Sequence, residues 1–98
     1  MAAYLIGFSN RNTNDLSWIE KYLETGPKIL ASYGGEVLAI NKPENAERGN
    51  NWERATLIKF PSIEAARSFH NDLEYKAAKD LRISNTLGEM YFLNSEKI

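Results

Sequence analysis

YLIGFSNRNTNDLSWIEKYLETGPKILASYGGEVLAI, residues 4–40, reads as a strand, a helix, a Gly-Gly turn and a second strand. RATLIKFPSIEAARSFHNDLEYKAAKDLRISNTLGEMYFLN, residues 54–94, runs through a second strand–helix–strand unit. The opening strand, Tyr4 to Phe8, sets Tyr4, Ile6 and Phe8 on one face and Leu5 and Gly7 on the other, because side chains alternate along an extended chain. The helix that follows is expected over about Asp15 to Tyr33, with Leu16, Ile19, Leu23, Leu30, Tyr33 and Gly26 in one stripe. Ser17-x-x-Glu20 reads as a capping box, Pro27 as a kink, and Gly34-Gly35 as the helix stop.

The rest of the chain completes the pattern. Val37 to Ile40 is the second strand, and Asn41 to Asn51 a long polar hairpin loop. Arg54 to Phe60 is the third strand, ended by Pro61, with Ser62 placed to cap the next helix. That helix carries Ile63, Ala66, Phe69 and Leu73 on one face, with an interruption at Asn71-Asp72 and a second segment from about Leu73 to Arg82. A turn is expected over Ile83 to Gly88 and the last strand over Glu89 to Asn94. The order β-α-β-β-α-β predicts a ferredoxin-like, four-stranded antiparallel sheet with two helices on one face. With 98 residues it forms one domain, 1–98.

Two helices cover only one face of such a sheet, yet the strands are nearly continuous apolar runs. A sheet with one wet face should alternate more cleanly. The other face would expose several of Tyr4, Ile6, Phe8, Leu57, Tyr91 and Leu93. Burying a large apolar side chain is worth roughly 1.5–3 kcal/mol, so the pattern predicts a partner, a second copy packed sheet to sheet.

Composition narrows the function classes. The chain is 43% hydrophobic and 26% charged, with twelve basic and thirteen acidic residues. A net charge of −1 shows no nucleic-acid footprint and no polybasic membrane patch. The third strand, Arg54 to Phe60, does not match the RNA-recognition consensus that this topology can carry. There are no cysteines, which removes disulfides and thiolate metal sites and favours a reducing cytoplasm. No apolar run reaches membrane-spanning length, and the N-terminus lacks a basic segment of the signal-peptide kind.

His70 is the one histidine and, with Tyr75, a candidate acid–base group. Asp72 would meet it only if the interruption brings the two together. One histidine with no cysteine makes a poor metal site, so neither metal nor cofactor is expected. Tyr75 and Arg82 lie seven residues apart, on one helical face. The hydroxyl can donate to a ligand oxygen and the guanidinium can bind a carboxylate. The competing reading packs Tyr75 on the sheet and pairs Arg82 with Glu74 or Glu89. Trp52 ends the long loop and is placed to close a pocket mouth, while Trp18 belongs at the dimer or sheet rim. The ligand-binding candidates are thus Tyr75, Arg82, His70 and Trp52.

In order and spacing, several elements resemble the DUF1330 family of the dimeric α/β-barrel superfamily. They are Tyr4-Leu5-Ile6-Gly7, Asp15, Tyr33-Gly34-Gly35, Phe60-Pro61-Ser62, Glu64-Ala65-Ala66-Arg67, Glu74-Tyr75-Lys76 and Leu81-Arg82. The resemblance covers almost the whole chain and implies a ferredoxin-like protomer and a sheet-packed homodimer. It carries no settled activity, since superfamily relatives range from cofactor-free monooxygenases and isomerases to stress proteins. The chain departs from the family pattern at Ile40-Asn41-Lys42, at Lys59 and at His70-Asn71-Asp72-Leu73. Three functions stay open: binding of a small, partly apolar organic molecule, a cofactor-independent monooxygenase or isomerase, and a dimeric interaction protein without a ligand.

Overall fold

The computed structural model describes residues 1–97. Seven elements follow in order: β1 (Ala3–Arg11), α1 (Ser17–Ser32), β2 (Glu36–Asn41), β3 (Arg54–Phe60), α2 (Ile63–His70), α3 (Lys76–Asn85) and β4 (Thr86–Asn94). The strands form one antiparallel sheet in the order β2-β3-β1-β4. This is the ferredoxin-like arrangement, with the second helix divided into α2 and α3 at the expected interruption. Its shortest extent is 17 Å, room for one sheet and one helical layer, since packed layers stand about 10 Å apart.

Strand register divides the side chains between two faces. Leu5 pairs with Ile58 and Phe92, and Gly7 with Thr56 and Met90. These residues point toward the helices, where Leu5, Ile58, Phe60, Ala66, Phe69, Tyr75 and Ala78 are buried with Ile29. The intervening residues face the other way. Ile6 lies between Leu57 and Tyr91, and Tyr4 between Lys59 and Leu93. The helix-free face therefore carries Tyr4, Ile6, Phe8, Leu57, Leu87, Tyr91 and Leu93, and the last three are more than half exposed.

Several boundaries differ from the sequence reading. The Ser17 capping box does not form. Ser17 instead gives its N–H to Asp15 Oδ1 at 2.9 Å, and no side chain caps α1. Helix α1 runs on through Pro27 to the Gly34 stop, where φ is +75°. Ser62 caps α2 as expected, accepting from the Ala65 N–H at 3.0 Å. The break at Asn71-Asp72 turns Leu73 out to solvent and brings Tyr75 into the core in its place. No turn separates α3 from β4. The Thr86 hydroxyl donates to the Arg82 carbonyl at 2.7 Å and the Asn85 amide to the Leu81 carbonyl at 2.7 Å. These bonds cap the helix end so that Thr86 can pass directly into extended backbone.

Gly88 of β4 sits hard against the backbone of β1. A methyl group there would fall on the Phe8 carbonyl oxygen and come within 2.9 Å of Ser9 Cα. Backbone cannot yield as a flexible side chain can, and overpacking costs typically about 1–3 kcal/mol. Gly88→Ala is expected to lower the urea midpoint by a corresponding amount with an unchanged slope. An unchanged midpoint would show that the two strands do not approach so closely.

Candidate functional site

The helical layer does not fill the space over the sheet. Between α1, α3 and the inner face lies a cavity of about 900 Å³, within the range of small-molecule sites. Its floor is apolar, with Leu5, Val37, Ile40, Ile58 and Met90 around the small residues Gly7 and Thr56. Trp18, Ile19, Tyr22, Gly26 and Leu30 of α1 form one wall, and Phe69, His70, Tyr75 and Arg82 belong to the other.

A chain of aromatic rings sets the shape of this space. Phe60 packs on Phe69 with centroids 5.6 Å apart, Phe69 on Tyr75 at 4.3 Å, and Tyr22 meets Tyr75 edge-on at 6.2 Å. The Tyr22 and Tyr75 hydroxyls are hydrogen-bonded at 2.8 Å. Only one of the two protons is used in that bond, so the pair keeps an O–H for a third partner. Burial first, and then the neighbouring Tyr75 hydroxyl, push the Tyr22 phenol above its ordinary range, while Arg82 and Arg54 pull the other way. Tyr22 is therefore a hydrogen-bonding group at neutral pH and not a base. Gly26 makes room for it: a Cβ at that position would lie 2.9 Å from the Tyr22 ring.

The turn between α2 and α3 holds Tyr75 in place. Asp72 Oδ1 accepts the N–H of Glu74 at 2.7 Å and of Tyr75 at 3.2 Å, and Oδ2 accepts the Tyr33 hydroxyl at 2.5 Å. The Tyr33 bond, then those backbone donors, keep this carboxyl below the usual range against the opposing effect of burial. Asp72 is thus tied to α1 and to its own turn, and no bond joins it to His70. The His70 ring stands edge-on to Phe92 at 5.7 Å, and its carbonyl accepts from Lys79 Nζ at 2.8 Å.

Of the residues singled out from sequence, Tyr75, Arg82 and His70 line the cavity together. Trp52 does not take the mouth-closing place expected of it. Its ring packs on Phe8 at 6.1 Å, and Phe8 belongs to the outward-facing set of β1. Tyr75 is buried in the core, as the structural reading has it, while Arg82 forms no ion pair with Glu74 or Glu89, the acids that reading named as examples. Trp18 lies on the cavity wall rather than at a rim. Tyr22, Gly26 and Arg54 were not anticipated. A glycine four residues after a tyrosine within a helix was the available signal, since it lets the ring lie flat along the helix. The described residues include no group of three or more His, Asp or Glu side chains able to hold a metal.

Comparison with known proteins agrees with this architecture. The family described as domain of unknown function DUF1330 matches residues 2–95. The chain belongs to the DUF1330 family. A DUF1330 fold is seen here in its ferredoxin-like form, and solved structures share it at low identity. RPA0582, a protein of unknown function from Rhodopseudomonas palustris, superimposes with a TM-score of 0.75 at 16% identity, over 99% of this chain and 84% of that one. SnoaB, a cofactor-independent oxygenase from Streptomyces nogalater, gives 0.67 at 8% identity, over 99% and 95%. A dimeric protein of unknown function with a ferredoxin-like fold from Bacteroides fragilis gives 0.51 at 12%, over 95% and 94%. No protein of curated function matches the sequence. No helix among the described residues is long and apolar enough to cross a membrane.

The His70 imidazole is held below its ordinary value of 6.5, first by partial burial and then by the charges of Lys79 and Arg82. The unfolded chain therefore takes up a proton at a higher pH than the folded one. Stability from this group is complete above about pH 6.5 and falls as pH drops from there through the folded value. An NMR titration of the single imidazole is expected to give a midpoint below 6.5, and His70→Gln to flatten the stability–pH curve in that window. A midpoint at or above 6.5 would place the ring in open solvent or beside an acid.

Proposed function

We propose that this DUF1330 protein binds a small, partly apolar organic molecule in the cavity between its helices and sheet. The observation that carries this is an apolar chamber of about 900 Å³ with convergent polar groups, Tyr22, Tyr75, His70 and Arg82, on its walls. A few polar groups in an apolar hollow are the usual makeup of a ligand site. The protein acts as a homodimer joined through the outer face of the sheet. The apolar side chains at Ile6, Leu57, Tyr91 and Leu93 support this, as does the dimeric Bacteroides fragilis protein of like fold. A cysteine-free chain suits the reducing cytoplasm.

A second reading follows from His70. A cavity-lining imidazole held neutral can take a proton from a bound acidic carbon or hydroxyl. That is the demand of a cofactor-independent oxygenase or isomerase, in which the substrate supplies the electrons. SnoaB, of like fold, is described as a cofactor-independent oxygenase. Turnover of a bound compound that is lost in His70→Gln, with binding retained, distinguishes this reading from simple binding.

Two measurements test the proposal. Neutral Nile red is expected to bind with blue-shifted emission. Thr56→Phe, which fills the floor opposite Gly7 and Ile40, is expected to abolish that signal while the fold persists. Equal binding by this variant would place the probe elsewhere and remove support for the cavity. Native mass spectrometry is expected to give about twice 11.1 kDa, and Ile6→Asp, between Leu57 and Tyr91 on the outer face, to give monomer. A monomeric parent chain would overturn the sheet-packed dimer.

A further inference from the structure

Two buried side-chain polar atoms among the described residues have no protein partner, Trp18 Nε1 and Arg82 Nε. Both belong to residues of the cavity wall, on helices α1 and α3 that pack against each other. Both are obligate donors, since neither an indole N–H nor a guanidinium can accept. Buried donors are nearly always satisfied, and an orphan needs a reason. Both atoms are sealed from the cavity itself, but Arg82 as a residue lines it and forms no ion pair among the described residues.

The charges of the wall agree. Arg11, Lys42, Arg54 and Arg82 line it with Glu53 and Glu89, a basic excess in a chain whose net charge is −1. Both acids are already engaged. Glu53 pairs with Arg11 at 3.6 Å and accepts its backbone N–H at 3.0 Å. Glu89 accepts the Tyr91 hydroxyl on the outer face of the sheet. Lys42, Arg54 and Arg82 have no ion-pair partner among the described residues. The spare O–H of the Tyr22–Tyr75 pair adds another donor without an acceptor.

We infer that the ligand of this cavity is an organic carboxylate, its anionic oxygens held by the Arg82 guanidinium and its apolar body laid over the sheet. This rests on the ligand-binding reading above and narrows it from organic molecules in general to organic acids. Arg82 is suited to the task because a guanidinium binds a carboxylate through two parallel hydrogen bonds. The basic excess of the wall explains the preference for an anion over a neutral amide, which carries no charge for those cations to pair with.

The test uses two isosteres, 2-naphthoic acid and 2-naphthamide, titrated into the purified protein near pH 7 and followed by calorimetry. The acid is expected to bind about tenfold or more tightly than the amide, the scale of a charge-assisted hydrogen bond, and to weaken as salt is raised. Arg82→Gln is expected to erase the difference. Equal affinities for the two probes, or a preference for the acid that survives Arg82→Gln in a folded variant, overturn the carboxylate assignment. Refusal of both probes also overturns it. The broader cavity reading falls only if neutral Nile red is refused as well.

Discussion

Tyr75 is the residue on which this architecture turns. It is only 2% exposed, although it lies between two short helices where a chain break would ordinarily face solvent. Its ring lies on Phe69 and its hydroxyl on Tyr22, so one side chain ties α2, α3 and α1 together. Asp72 fixes the backbone beneath it by accepting two N–H groups of the turn and the Tyr33 hydroxyl of α1. These bonds hold α1 at a distance set by two tyrosines end to end. Aliphatic side chains would let the helices close on the sheet. The spacing leaves the cavity open between them.

That constraint also separates what the sequence revealed from what it concealed. Strands show themselves by alternation, and β3 over Arg54–Phe60 agrees with its expected bounds because Pro61 and Ser62 mark its end chemically. The family and the ferredoxin-like order were legible for the same reason. Helix faces were read less well. Apolarity placed Leu16, Leu23 and Leu73 in the packed stripes, yet all three are largely exposed. Gly26 and Leu30 of the expected stripe do pack, as does Tyr33 just past the end of α1, but the packed face also takes Tyr22 and Ile29, set by where two hydroxyls find partners on a distant segment. A hydrophobicity pattern carries no record of such long-range hydrogen bonds. Tyr75 and Arg82 were recognisable as a pair, but Tyr22, and the place of Trp18 on the cavity wall, became visible only once α1 was set against α3.

The sheet has two apolar faces with different destinies. The inner face is covered partly by helices and partly by open volume, so its unfilled portion is concave. The outer face has no cover apart from Trp52 leaning on Phe8. A broad sheet surface with Ile6, Leu57, Tyr91 and Leu93 in adjacent register suits another sheet, because two such surfaces interdigitate at about 10 Å over a wide area. A concave hollow of limited volume suits a small molecule. In the proposed function, the same alternation that gives β1 its two-sided character sets the partner on one side and the ligand on the other.

The departures from the family pattern divide along that line. Ile40, Asn41 and Lys42 border the cavity, so a change there alters what the hollow accepts, and Lys42 adds a cation near its edge. Lys59 points to the outer face, between Tyr4 and Glu36 in register, and a change there alters how two sheets meet. The segment His70-Asn71-Asp72-Leu73 sits where the two concerns join. It ends α2, supplies the Asp72 anchor for Tyr75 and places the imidazole on the cavity wall. On the proposed function, substitution at 40–42 retunes the ligand and substitution at 59 retunes assembly, because the first segment borders the cavity and the second faces away from it. Change at 70–73 moves the tyrosine that keeps the cavity open.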